Sequence, residues 1–82
     1  MDQPVSYPGG TIDLRLHRPR ERLGLIDQLL ATVQAGEDVL LVFSAPPQRL
    51  PDHIHSRFPG RFALNPVSQG PAVWSLWVQP LR

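Results

Sequence analysis

The chain has 82 residues, a formal net charge of +1, ten prolines and no cysteine. That length is one domain's worth, and at this size only about 60–65% of the unfolded surface is buried on folding, which leaves one core and little room for a deep enclosed active site. Without a thiol, the chain's own side chains cannot make disulfides, thiolate-zinc sites, iron–sulfur clusters or a cysteine nucleophile.

Residues 1–10 hold two prolines, a Gly9-Gly10 pair and no periodicity, and are expected to be a flexible leader to a single domain over 11–82. Thr11-Ile12-Asp13-Leu14-Arg15-Leu16 alternates strictly, the pattern of a half-buried strand with Ile12, Leu14 and Leu16 facing inward. Pro19 and Gly36 then bracket a helix, since proline suits the first turn and glycine the position after the last. Its apolar stripe is Leu23, Ile26, Leu30 and Val33, widened by Leu29, with Asp27 and Gln28 falling off that face.

Val39-Leu40-Leu41-Val42-Phe43 is a continuous apolar run, expected to be a central strand buried on both faces. Leu50, Ile54 and Phe58 are spaced by four between Pro51 and Pro59-Gly60, which predicts a helix of about two turns. So short a helix is unstable alone and has to pack on the sheet. A third strand begins at Phe62-Ala63-Leu64 and is limited, or held at an edge, by Pro66. After the turn signal Ser68-Gln69-Gly70-Pro71, residues 72–79 alternate again: Trp74, Leu76 and Val78 face one way, and Val73, Ser75 and Trp77 the other.

The order is β-α-β-α-β-β. It predicts an α/β fold (an α+β two-layer sandwich) with two helices on one face of a four-stranded mixed sheet. Its other face then has no helix to cover it.

Four groups of residues invite functional readings. Arg15, His17, Arg18, Arg20 and Arg22 lie where the first strand hands over to the first helix, and the first four are the candidates for binding an anion or an acidic partner at the helix start. The competing reading is a solvated loop in which arginines pair with nearby acids, Asp13 among them. His53 and His55 point about 200° apart on a helix and His17 is remote in sequence, so the histidines offer no metal site and are expected on the surface. Trp77, with Val73 beside it, falls on the uncovered sheet face, where an exposed apolar patch would mark an interaction surface for a protein partner or a weak homodimer. Asp13, Glu21, Asp52 and the serines show no nucleophile–base spacing, and the expectation is therefore no enzyme and no cofactor. A single stacking group without basic interleaving argues against nucleic acid.

The lack of disulfides in a small domain favours a reducing compartment. Met1-Asp2-Gln3-Pro4 lacks the basic and apolar regions of a signal peptide, and no stretch approaches the roughly 20 apolar residues that span a bilayer. A cytoplasmic, non-membrane protein is expected.

The strings Phe58-Pro59-Gly60-Arg61-Phe62 and Gln69-Gly70-Pro71-Ala72-Val73-Trp74, with Asp13-Leu14-Arg15, Pro19, Glu21-Arg22 and Leu25-Ile26 upstream, resemble the bacterial domain-of-unknown-function family 2249. The resemblance runs from about Ile12 to Val78. It implies a fold similar to the TusA/SirA-like sulfur carriers, in which a cysteine at the start of the first helix bears the sulfur. Here that place reads Pro19-Arg20-Glu21-Arg22, so sulfur carriage does not follow from the fold. Family members often show an Asn-Asp-His-Asp-Pro-like string after the second strand. This chain has Ser44-Ala45-Pro46-Pro47, and any role of that His and Asp is missing. The family's frequent neighbours imply an accessory role near redox or nitrogen-oxide metabolism. Three functions follow as expectations: a non-catalytic accessory module that binds a partner or itself through the Trp77 face, an anion- or small-ligand-binding domain at the first helix, and a degenerate sulfur-relay docking partner without sulfur transfer.

Overall fold

In the computed structural model, residues 7–81 are described, and they run β1 (Gly10–Asp13), a 3-10 turn (Leu14–Leu16), α1 (Pro19–Thr32), β2 (Val39–Phe43), α2 (Leu50–Arg57), β3 (Phe62–Gln69) and β4 (Trp74–Pro80). The expected leader lies outside the described residues as far as position 6. The stretch after it is tied down: the Gly9 N–H donates to the Asp38 carbonyl (2.8 Å), and the Gly10 N–H to that of Tyr7 (2.7 Å).

The sheet order is β1-β2-β4-β3. β1 and β2 are parallel, joined through α1; β4 is antiparallel to both β2 and β3. Pairing Val39 with Val78 and Leu41 with Leu76 puts these side chains on one face. The same face receives Ile26, Leu30 and Val33 from the α1 region and Leu50, Ile54 and Phe58 from the α2 region, in one continuous core with Leu14, Phe43 and Phe62. Both helices therefore stack on the same side of a four-stranded mixed sheet, as the element order required. No helix among the described residues is long and apolar enough to cross a membrane.

Two details depart from the sequence pattern. The alternation through Leu16 stops at Asp13, whose carboxylate accepts the Arg15 backbone N–H and caps a 3-10 turn. Such a local side-chain bond competes with the strand ladder, and it turns Leu16 out to 81% exposure. Leu23 has the right angular position on α1 but is 45% exposed, because the buried part of that helix begins only at Ile26. At Pro66 the edge reading is the one the structure bears out: β3 runs through it. It is an edge strand, where a missing N–H is tolerated, and a bulge between Pro66 and Ser68 absorbs the irregularity. At the far end of α1 the Val33 N–H closes on the Leu29 carbonyl, and Gly36 takes the left-handed backbone (φ 87°) that turns the chain towards β2.

The contrast within α1 sets one expected outcome. Leu30 is fully buried and Leu23 is not, so Leu30→Ala should cost about 2–5 kcal/mol in urea unfolding while Leu23→Ala stays below about 1 kcal/mol. Equal losses would mean that α1 docks by a different face.

Candidate functional site

The basic handover between β1 and α1 does not converge into one cationic site. Asp13 Oδ1 and Oδ2 accept from Arg15 Nε (2.8 Å) and Nη2 (2.7 Å), so the guanidinium and carboxylate satisfy each other. Those bonds hold the Asp13 carboxyl below its ordinary value and raise that of Arg15. Arg22 Nε is taken by the His17 carbonyl (3.0 Å). His17, Arg18 and Arg20 are exposed. Pro19 occupies the first turn of α1, and Arg18 caps the helix without a side-chain bond. The nearest depression, shallow and about 400 Å³, is lined by His17, Glu21, Gly24, Leu25 and Gln28. It holds a carboxylate and no arginine.

The histidine expectation needs a correction at His53. Its Nε2 lies 2.8 Å from Asp27 Oδ1, and Arg57 Nε lies 3.4 Å from Asp27 Oδ2. Asp27 therefore does not simply face solvent off the apolar stripe. It is partly buried and ties α1 to α2. The signal was present in the sequence: His53 and Arg57 are one turn apart on α2, so they present a pair to one acid on the neighbouring helix. Among the described residues, no three acidic or histidine side chains gather as a ligand set for a metal ion.

Trp77 is on the face away from the helices, opposite Leu40 and Asn65, as the alternation implied. It is not, however, an exposed indole. It is 7% exposed, and its Nε1–H donates to Asp38 Oδ2 at 2.7 Å. An acceptor just before β2 thus satisfies the polar edge of a nearly buried ring. Val73 is half-buried, and its carbonyl receives the Gly70 N–H (2.8 Å) to close the β3–β4 turn. The two residues form no open apolar patch.

The concave feature that sequence reasoning missed lies on the other face, at the end of the sheet. Its floor is Trp74, Leu76 and Pro66; its wall is Pro46, Pro47 and Pro51; Ser68, Gln69 and Ser75 edge it. It encloses about 290 Å³. Trp74 pairs with Phe43 and with Gln69, so the groove sits beyond the carboxyl end of β2, the end at which open α/β sheets bind ligands. The ring rests on Gly70, whose φ is 83°, and a Cβ added there would come within 2.5 Å of Trp74 Cζ2. Only glycine suits that backbone and that contact. The Trp74 Nε1–H takes part in no hydrogen bond among the described residues, while every buried side-chain polar atom among them has a partner, so that N–H reaches solvent. On the opposite lip the Ser75 hydroxyl accepts the Ser68 N–H (3.1 Å) and fixes the bulge. The prolines of the wall read in sequence only as breakers, and Trp74 only as core.

The Asp13–Arg15 pair yields a pH prediction with a definite sign. A carboxyl held below its ordinary value of 3.8 contributes stability above that pH and loses it as the pH falls through the lowered value. Arg15→Gln should move the Asp13 midpoint up towards 3.8, read by carboxyl-carbon NMR titration. An unmoved midpoint would mean that the guanidinium is not what stabilises the carboxylate.

No curated protein and no solved structure matches the chain. A family model does match, over residues 11–80, from the second residue of β1 to the end of β4 and through the Gly70–Trp74 turn that forms one lip of the groove. Its description is Uncharacterized conserved protein (DUF2249), and the chain belongs to that family.

Proposed function

We propose that the chain is a non-catalytic interaction module that docks a partner protein in the groove over Trp74. The groove is the observation that carries this reading. It is concave, its floor and wall are apolar, and it has polar groups only at its edge. Its volume, about 290 Å³, falls at the lower limit of the roughly 300–1,000 Å³ of small-molecule pockets. It suits a few side chains of a larger partner better than an enclosed metabolite. The proposed surface thus moves from the Trp77 face to the Trp74 groove, since a nearly buried, hydrogen-bonded indole is a poor anchor for a partner.

An accessory role in the cytoplasm near redox or nitrogen-oxide metabolism fits this reading. So does docking on sulfur-relay proteins without sulfur transfer, a partner class that only the sequence resemblance implies. The anion-binding alternative at α1 is left with Arg18, Arg20 and His17, because Arg15 is neutralised by Asp13.

Site-specific photo-crosslinking in the cells that make the protein tests the proposal. A photoreactive residue at Pro47 or Gln69 should give discrete protein adducts, and one at Gln28 on the outer face of α1 should give none. Adducts at Gln28 alone, or none from the groove positions, would contradict it.

A further inference from the structure

We infer that the occupant of the groove is a proline-containing segment of a partner protein in the polyproline II conformation. This rests on the docking reading above and names the chemistry of what docks.

Proteins recognise peptide segments in a small number of ways, and the groove's construction separates them. Addition of a strand requires a regular free sheet edge. Here the edge strand is β3, which carries Pro66, without an N–H, and a bulge between Pro66 and Ser68. Both features blunt an edge against pairing. A docked amphipathic helix needs an apolar trough several turns long, to hold anchors at i, i+3, i+4 and i+7. The cleft, with one tryptophan and one leucine among its lining and the rest prolines and polar residues, offers no such row of anchors. Capture of a phosphorylated or acidic segment needs clustered arginines, and no charged side chain lines the cleft.

What remains matches a polyproline II ligand in charge and in hydrogen bonding. Such a segment is uncharged along its backbone, has no internal hydrogen bonds, and leaves its carbonyls free to accept. Where it is proline it offers no N–H, so its binding site has to supply donors and need not supply acceptors. The groove is built that way round. Pro46, Pro47, Pro51 and Pro66 contribute flat apolar ring faces and no backbone N–H. The donors are the Trp74 Nε1–H, unused by the described residues, and the Gln69 side-chain amide at the edge. An indole gives a pyrrolidine ring a large flat face to pack on, with a donor at its margin for the neighbouring carbonyl. The segment is preformed, so little chain entropy is lost on docking, which suits a small contact.

Titration of the nitrogen-15-labelled protein with a synthetic peptide of about ten prolines, which is polyproline II in water, tests the inference. The expected result is saturable shifts of the Trp74 indole N–H and the Gln69 side-chain amide, with the Trp77 indole N–H unmoved. Trp74→Phe keeps a ring and removes the donor, and should weaken binding about 2- to 10-fold, the range of one neutral hydrogen bond. Gln69→Ala, at an exposed position, should weaken it without disturbing the core and stands in if the tryptophan variant fails to fold. No shift at Trp74 up to millimolar peptide overturns the inference, as does a response equal to that given by a glycine-serine peptide of the same length. If an alanine-leucine helical peptide shifts the groove residues and polyproline does not, the inference falls and the docking reading stands. If polyproline binds yet the groove positions give no crosslinks in cells, the peptide chemistry holds and the docking reading falls.

Discussion

A mismatch in length between α2 and the strands beneath it shapes the end of the molecule that carries the groove. Eight residues of helix rise about 12 Å, whereas eight residues of strand extend about 26 Å. With both helices on one face, α2 buries Leu50 and Ile54, and Phe58 follows at its end. It leaves Trp74 half-buried and Pro66 exposed at the sheet end, beside the buried Leu76. The loop that leads into α2 brings Pro46 and Pro47, and the first turn of α2 brings Pro51, beside that end. The groove is therefore a consequence of how two layers of unequal reach meet, with the prolines as its wall.

The two tryptophans differ in burial contrary to their sequence pattern. Alternation puts Trp74 on the helix face and Trp77 on the uncovered face, which makes Trp77 the natural choice for an exposed anchor. Asp38 reverses this by accepting the Trp77 indole N–H, so the ring is sealed down and its polar atom is satisfied. Trp74 sits on the covered face but at the end where the cover stops, over Gly70. Its N–H is left for something else. Burial on a sheet thus depends on position along the strand as well as on which face a residue takes.

Much of the fold was legible because it rests on local periodicity. Ile26, Leu30 and Val33 at helical spacing and Leu50, Ile54 and Phe58 spaced by four all ended in the core, as did Val39, Leu41 and Phe43 of the unbroken run, whose Leu40 and Val42 are only half-buried on the other face. The failures came where a local bond or a tertiary edge overrode the period. Asp13 stopped the first strand by capping a turn, and Leu16 went out with it. Leu23 kept its angle on the helix but had nothing beneath it. The Asp27–His53 contact joins residues 26 apart, and the groove joins the β2–α2 loop to the β3–β4 hairpin. Neither assembly has a period or a spacing to announce it; each exists only once the helices share a side of the sheet.

The placement of the proposed docking surface depends on the difference between the two indoles, whose N–H groups can be followed separately by NMR. In deuterated buffer the Trp77 indole hydrogen, bonded to Asp38 and nearly excluded from solvent, should exchange slowly, and the Trp74 indole hydrogen should exchange fast. The reverse order, with Trp74 protected and Trp77 exchanging freely, would contradict the structure of the groove and return the open surface to the opposite face of the sheet.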